Sequence, residues 1–183
     1  ETMEEILINL NDDRIGTFFR PFANSTSNGF NGLINGINSS TTSIALADYS
    51  LSGTIFRENT STLDANFMTA WETSFLLAEA AQKGLITANT GTLYNLGVAQ
   101  AFDYWNTNLP ANYLTGNANL NAVGKTPLQQ IMTQKWIASI INGYEGWIEF
   151  RRTGFPNLKA VAASLNNGLI PVRMPYPAEE ATL

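Results

Sequence analysis

The sequence contains no cysteine and no histidine among its 183 residues. Without cysteine it has no thiolate nucleophile, no disulfide, no iron–sulfur ligand and no cysteine zinc site. Without histidine it has no Ser–His–Asp triad, no imidazole ligand for a metal, and no side chain whose ordinary pKa lies near neutrality. An enzyme built on this chain would depend on carboxylates alone. We therefore expect no catalytic residue, no metal site and no cofactor.

Positive charge is also scarce. Ten Lys and Arg residues against fifteen Asp and Glu residues give a net charge of −5, and charged residues make up only 14% of the chain, against about 25% in an average soluble domain. Phosphate-tracking surfaces and electrostatic docking on anionic lipid both need clustered cations. We therefore expect neither nucleic acid nor a lipid surface as a partner. No apolar run approaches the roughly 20 residues that span a bilayer.

Neutral polar residues take the place of the missing charges, and we count 21 asparagines spread along the whole chain. Aromatic residues make up 11%. A surface rich in neutral hydrogen-bonding groups suits the outside of a cell and a neutral polar ligand. The alternative is that this composition is only a habit of secreted proteins.

From residue 64 onward the pattern is helical. Two capping boxes, Thr69–Glu72 and Thr126–Gln129, predict helix starts, because a Thr hydroxyl there can accept a hydrogen bond from the amide three residues on. Apolar residues at helical spacing follow both boxes. Further helices are predicted from Thr90 or Thr92 to before Pro110, and through Trp147 to Gly154. The expected fold is mainly α, with tetratricopeptide-like paired antiparallel helices, long irregular loops and little strand.

Residues 1–63 have a different character from the helical part. A short helix is predicted over 3–10, followed by a long region rich in Asn and Gly, with a short strand around Ile44–Leu51. Another short helix is predicted to begin at Pro156 and to run through Val161. We divide the chain into 1–63, a short helix plus loop region, and 64–183, a helical scaffold, within one structural domain that is a fragment of a longer protein.

The best candidates for ligand contact lie in the loop over residues 24–49. Its rings do not follow helical core spacing, so a ring face could stack on the C–H face of a sugar while neighbouring amides bond the hydroxyls. The alternative is that the rings plug the loop onto the helices and the amides cap turns. The predicted ligand-binding residues are Phe30, Asn31, Asn35, Asn38 and Tyr49.

Charged residues in the helical part admit two interpretations. Glu72 and Glu79 lie on one helix face, and a glycosidase uses two carboxylates across a cleft. We favour the structural interpretation, in which Glu72 closes a capping box and Glu79 pairs with an Arg of a neighbouring helix. Arg151 and Arg152 could clamp an anion, but we expect at least one of them to pair with a carboxylate of an adjacent helix.

Several segments resemble SusD/RagB-like proteins and occur in that family's order. Asn11–Arg14 resembles the second SusD-like branch of the family. The other segments that carry the resemblance are Phe67–Gly84, Gln134–Ala138, Asn142–Trp147, Phe150–Pro156 and Ile170–Arg173, with Tyr176, Pro177 and Glu180.

The resemblance implies a surface-exposed outer-membrane lipoprotein that binds a glycan or another nutrient without catalysis. It implies as partners an oligosaccharide ligand and a SusC-type TonB-dependent transporter. Family members carry a lipidated N-terminal cysteine, so this chain would be a C-terminal portion whose membrane anchor lies elsewhere. The alternative is a helical-repeat module that binds a protein and no small ligand.

Overall fold

The computed structural model describes residues 2–37, 43–58, 63, 65–159, 161, 167–174 and 176–177. Within those residues the fold is mainly α with little strand, as the sequence predicts. Two two-residue strands, β1 (Phe19–Arg20) and β2 (Leu51–Ser52), pair antiparallel, with Phe19 opposite Ser52. The helices are α1 (Thr2–Leu10), α2 (Ile15–Phe18), α3 (Ala70–Gln82), α4 (Thr90–Tyr104), α5 (Pro127–Ala138) and α6 (Gly143–Thr153).

Side-chain caps begin the four long helices after residue 69. At each start a side-chain oxygen accepts a hydrogen bond from the backbone amide three residues on, which satisfies one of the free amides of the first turn. The cap residues are Thr69, Asn89, Thr126 and Asn142. Both predicted Thr caps are confirmed, and α6 ends as predicted at Gly154, whose φ of 76° is left-handed.

Helices α3 and α4 form an antiparallel pair at the centre of the core. Trp71 near the start of α3 contacts Tyr104 at the end of α4, with ring centroids 6.3 Å apart, whereas Phe75 contacts Tyr94, one turn into α4, also at 6.3 Å. Gly97 makes the close approach possible, because a Cβ at that position would lie 2.9 Å from the Phe75 ring. The small residue is therefore required by the distance between the two helices.

Two helix boundaries differ from the prediction. Helix α5 ends at Ala138 instead of continuing toward Gly143, and the Ser139 hydroxyl donates to the Lys135 carbonyl at 2.8 Å. The helix predicted from Pro156 is absent over 156–159, where the backbone is irregular. Its start has no side-chain cap, because the residue before Pro156 is Phe155, whose side chain cannot accept a hydrogen bond. Residues 160 and 162–166 lie outside the described residues.

The predicted strand around Ile44–Leu51 is only partly correct. The segment forms a single 3-10 turn at Leu46–Asp48, and the strand begins at its end as β2. This segment is seated on α2, because the Gly53 amide donates to the Phe18 carbonyl at 2.8 Å. The division of the chain at residue 63 stays a prediction.

Candidate functional site

The predicted ligand-binding loop is tied down by its own polar groups. Phe30 and Tyr49 are both half-buried. The Asn31 amide donates to the Asp48 carbonyl at 2.7 Å, and the Asn31 backbone exchanges hydrogen bonds with Ser50. The structure therefore brings Asn31 beside the segment that carries Tyr49. The Asn31 side-chain amide holds these two segments of the loop together.

The remaining two predicted residues stand apart from that contact. Asn35 is exposed at a turn, and its side chain makes no hydrogen bond with the described part of the chain. Asn38 lies outside the described residues. The loop as a whole is anchored to α1 through the Gly32 amide, which donates to the Glu4 carboxylate at 3.0 Å. The assignment of these five residues to ligand contact stays a prediction.

A polar cleft that sequence reasoning missed is formed by residues outside the loop 24–49. Its volume is about 790 Å³, and it is formed by α1, the loop 113–125, the first turns of α5 and residues 156–157. Most of its polar lining consists of side-chain amides. We call it the amide cleft.

Three of the amides in this cleft hold the walls together. Gln130 is buried, and its Nε2 donates to the carbonyls of Asn117 and Asn119 at 2.8 and 2.7 Å. The Asn117 amide donates to the Asn9 carbonyl at 2.6 Å, and the Asn119 amide donates to the Leu114 carbonyl at 2.9 Å. The loop 113–125 is thereby fixed to α1 on one side and to α5 on the other.

A buried ion pair connects the turn between α1 and α2 to the loop 113–125 and to α5. Arg14 is fully buried and donates through Nε and Nη2 to the two oxygens of Asp12 at 2.9 and 2.6 Å. Tyr113 donates to Asp12 at 2.5 Å, and Gln134 accepts from Arg14 at 2.8 Å and donates to Tyr113 at 2.8 Å. The guanidinium also lies over the Phe102 ring, 4.3 Å from its centroid. Asp12 is therefore at the centre of a long-range network.

Arg14 and Tyr113 keep their protons across the physiological range. Burial by itself lowers the pKa of Arg14, but the hydrogen bonds and the charge of Asp12 outweigh it and raise the pKa above its ordinary value. Burial also raises the pKa of Tyr113 well above its ordinary value. Neither of these two groups can exchange a proton near neutral pH, so we assign them a role in positioning the walls of the cleft.

A second charge network joins α3, α5 and α6. Arg152 pairs with both oxygens of Glu79 on α3 and with Glu149 on its own helix at 2.5 Å. Lys135, only 1% exposed, donates to Glu145 and Glu149 at 2.9 and 2.8 Å. The prediction that an Arg of this motif pairs with a neighbouring helix is confirmed for Arg152. Both carboxylate oxygens of Glu79 contact Arg152, so Glu79 is not a free carboxylate.

We predict a pH-dependent stability from Glu79. Burial by itself raises its pKa, but hydrogen bonds from Arg152 and Lys83 outweigh that and hold the pKa below the ordinary value of about 4.5. The contribution of Glu79 is therefore present above the unfolded-state pKa and lost as pH falls below it. Since Arg152 is partly exposed, we expect Glu79→Gln to cost about 1 kcal/mol at pH 7. The cost should shrink between about pH 5 and pH 3, as measured by urea unfolding. An equal cost at pH 7 and pH 3 would contradict the prediction.

An exposed aromatic and cationic surface lies along α6 and the segment that follows. Tyr144 is 66% exposed, and Arg151 lies over the Trp147 ring, 4.7 Å from its centroid. The Trp147 indole donates to the Pro171 carbonyl at 2.9 Å, and Arg173 lies over the Tyr176 ring. Trp147 is only half-buried, in contrast to Trp71 and Trp105, which are buried in the core.

The residues that the structure describes form no group of three acidic side chains that could hold a metal ion. None of the described helices is long and apolar enough to cross a bilayer.

The chain matches a known protein family over nearly its whole length. A family model described as "Starch-binding associating with outer membrane" matches residues 1–177. The chain belongs to the SusD-like family. The resemblance stated from the motifs is thereby confirmed, and the description of this SusD-like family names binding and no reaction. None of the proteins with curated descriptions matches the chain.

Solved structures of SusD homologues share the fold. A SusD homologue from Bacteroides vulgatus is 26% identical, with a TM-score of 0.75, over 99% of this chain and 43% of its own. A chitin-binding SusD homologue from Flavobacterium johnsoniae is 27% identical, with a TM-score of 0.76, over 98% of this chain and 43% of its own. A homologue from Bacteroides uniformis is 27% identical, with a TM-score of 0.74, over 96% and 42%. The SusD-like chain thus spans less than half the length of these relatives.

Proposed function

We propose that this chain is part of a non-catalytic glycan-binding protein at the exposed surface of the outer membrane. In that role it captures oligosaccharide for a SusC-type TonB-dependent transporter, and a lipid anchor attaches the protein to the membrane. The observation that carries the proposal is the family match over residues 1–177, whose description names starch binding and the outer membrane. The relative that is described as chitin-binding has the same fold over nearly the whole chain.

The polar groups of the molecule support a ligand that is neutral. The chain has few charges and many asparagines, and each amide offers one acceptor and two donors to a hydroxyl-rich ligand. The strongest charges that the structure describes pair with each other, as in the networks of Arg14 and Arg152. We retain the loop residues Phe30 and Tyr49 as proposed contacts, with their ring faces as stacking surfaces.

The proposal predicts saturable binding of neutral oligosaccharides. The protein expressed from its complete gene should bind at least one starch- or chitin-derived oligosaccharide in isothermal titration calorimetry, with no change in the oligosaccharide after prolonged incubation. Phe30→Ala should weaken binding by about five- to tenfold if its ring stacks on sugar, since a well-placed ring contributes about 1 kcal/mol. The absence of binding across a broad glycan array, or cleavage of the ligand, would contradict the proposed function.

The transporter partnership has a separate test. When the protein is tagged and the outer membrane is dissolved in mild detergent, a SusC-type TonB-dependent transporter should co-purify with it in a fixed ratio. We expect the complex to survive in the absence of glycan. Recovery of the tagged protein alone, under conditions that preserve other outer-membrane complexes, would contradict this part of the proposal.

A protein-binding module without a small ligand is the second candidate function. The exposed surface around Tyr144, Trp147 and Arg151 favours it, because Tyr, Trp and Arg are enriched at the centres of protein interfaces. The two candidates differ in one measurement. A module of this kind would bind its protein partner but would show no binding to any glycan on the array.

A further inference from the structure

We propose that the amide cleft is a binding site for a neutral oligosaccharide, distinct from the predicted contacts in the loop 24–49. The inference rests on the proposed glycan-binding function and names the surface that carries it. The cleft holds about 790 Å³, which lies within the range of small-molecule sites, roughly 300–1,000 Å³. Its walls come from four separate segments of the chain, so it forms only in the folded molecule.

The amides of the cleft divide into two sets, and only one of them is engaged with protein. Gln130, Asn117 and Asn119 hold the walls together through hydrogen bonds to backbone carbonyls. The side-chain amides of the second set make no hydrogen bond with any residue that the structure describes. Its members are Asn9 on α1, Asn121 in the loop, Gln129 on α5 and Asn157 after α6.

This second set matches the chemistry of a sugar. A sugar hydroxyl both donates and accepts, and each free amide provides two donors and one acceptor without any charge. Ile6, Leu10 and Pro156 add apolar surface to the lining, against which the C–H face of a sugar ring can pack. Four free amides from four segments around a partly apolar floor can therefore bind hydroxyls from several directions.

The charge of the cleft argues for a neutral ligand. Among the described residues that line it, Lys125 alone is charged. An anionic ligand would need several cations or a desolvated one, because a single exposed charge is screened within about 10 Å at 0.1 M salt. Binding should therefore depend on hydrogen bonds and contact area, and it should vary little with salt.

The cleft is organised before any ligand arrives. In addition to the bonds of Gln130, the buried Tyr94 hydroxyl donates to the Ala118 carbonyl at 2.6 Å and holds the middle of the loop 113–125. The Arg14 network fixes Tyr113, at the start of that loop, to Asp12 in the turn after α1 and to Gln134 on α5. A ligand then meets walls that are already positioned, so binding costs little conformational entropy.

The test compares three sets of variants in the protein expressed from its complete gene. Binding is measured by calorimetry with maltoheptaose and chitohexaose as probes. We expect Asn121→Ala and Gln129→Ala each to weaken binding of the recognised probe about three- to tenfold, because each removes one or two hydrogen bonds. Both residues lie at the surface of the cleft, so the thermal unfolding midpoint should not fall. The affinity of the wild type should change little between low and high salt, because no ion pair holds a neutral ligand.

Two further variants separate the outcomes. Asn95→Ala changes an exposed amide on α4, outside both proposed surfaces, and should bind as wild type. Asn35→Ala reports on the loop 24–49. If wild type binds and the cleft variants bind equally well, the inference is overturned while the proposed function stands. If wild type binds neither probe nor any other glycan on an array, both are overturned. A wild-type affinity that falls steeply with rising salt would replace the neutral ligand by an anionic one and overturn the inference.

Discussion

Replacement of Arg14 by Met is expected to lower the free energy of unfolding by about 3–5 kcal/mol. The guanidinium is fully buried and bonds Asp12, Gln134 and Tyr113 at once. Its removal leaves the Asp12 carboxylate buried without a charged partner, and breaking such a pair from one side is far more costly than the net strength of the pair. Met fills much of the same volume, so the loss reports the charge and not a cavity. In thermal unfolding, the midpoint should fall by about 10 °C.

Two comparisons make this result specific. Arg151→Met removes an exposed arginine of α6 and should cost less than about 1 kcal/mol. The double variant Asp12→Leu with Arg14→Met should cost less than the sum of the two single variants, since each single change leaves an uncompensated group that the double change removes. If Arg14→Met unfolds at the same temperature as Arg151→Met, the network is not a major source of stability.

Gly53→Ala is expected to destabilise the protein by about 1–3 kcal/mol. A Cβ at this position would lie 2.0 Å from the Thr17 carbonyl oxygen and 3.1 Å from its carbon. Backbone dihedral angles are not the obstacle, because the φ of −58° and ψ of 157° are open to any residue. The clashing atoms belong to the backbone and cannot rotate away. The segment after β2 must therefore move off α2 and weaken the hydrogen bond between the amide of residue 53 and the Phe18 carbonyl.

Hydrogen exchange and a control substitution at Gly16, which precedes Thr17 in the chain, test the close contact at Gly53. The amide of residue 53 should exchange faster in Gly53→Ala than in wild type, together with a lower unfolding midpoint. Gly16→Ala is the matched control, because its added Cβ meets nothing within 4 Å and it lies in α2. Ala is the better helix former by up to about 1 kcal/mol, so this control should be neutral or stabilising. Equal stability of the two variants would rule out the proposed close contact at Gly53.

Helix starts and ends could be predicted from sequence because their signals are local. Thr69 and Thr126 act within three residues of themselves, and Gly154 ends α6 through its own left-handed backbone. Where a prediction failed, as at Pro156, the residue in the cap position is Phe155, whose side chain cannot accept a hydrogen bond. The helix that begins at Pro127 has Thr126 in that position, so a Pro at the first position starts a helix here only where a cap precedes it.

The roles of charged side chains could be predicted in part. Sequence analysis predicted that Glu79 pairs with an Arg of a neighbouring helix, and the structure confirms it. That the Arg is Arg152 and not Arg151 depends on how α3 and α6 both pack on α5. Asp12 shows the limit more sharply, because its partner Tyr113 lies 101 residues away. No periodicity or cap signal connects those two positions.

The sequence by itself determined the helical fold class, the starts of the long helices, the lack of thiol and imidazole chemistry, and the motifs of the SusD-like family. These features depend on residue types or on contacts within about four residues. The tertiary structure alone decided that Asp12 and Arg14 centre a buried network, that Gly53 must be glycine, and that free amides from four segments meet in one cleft. Each of these depends on which distant backbones come together, and that choice is made by the packing of the whole core, not by any one segment.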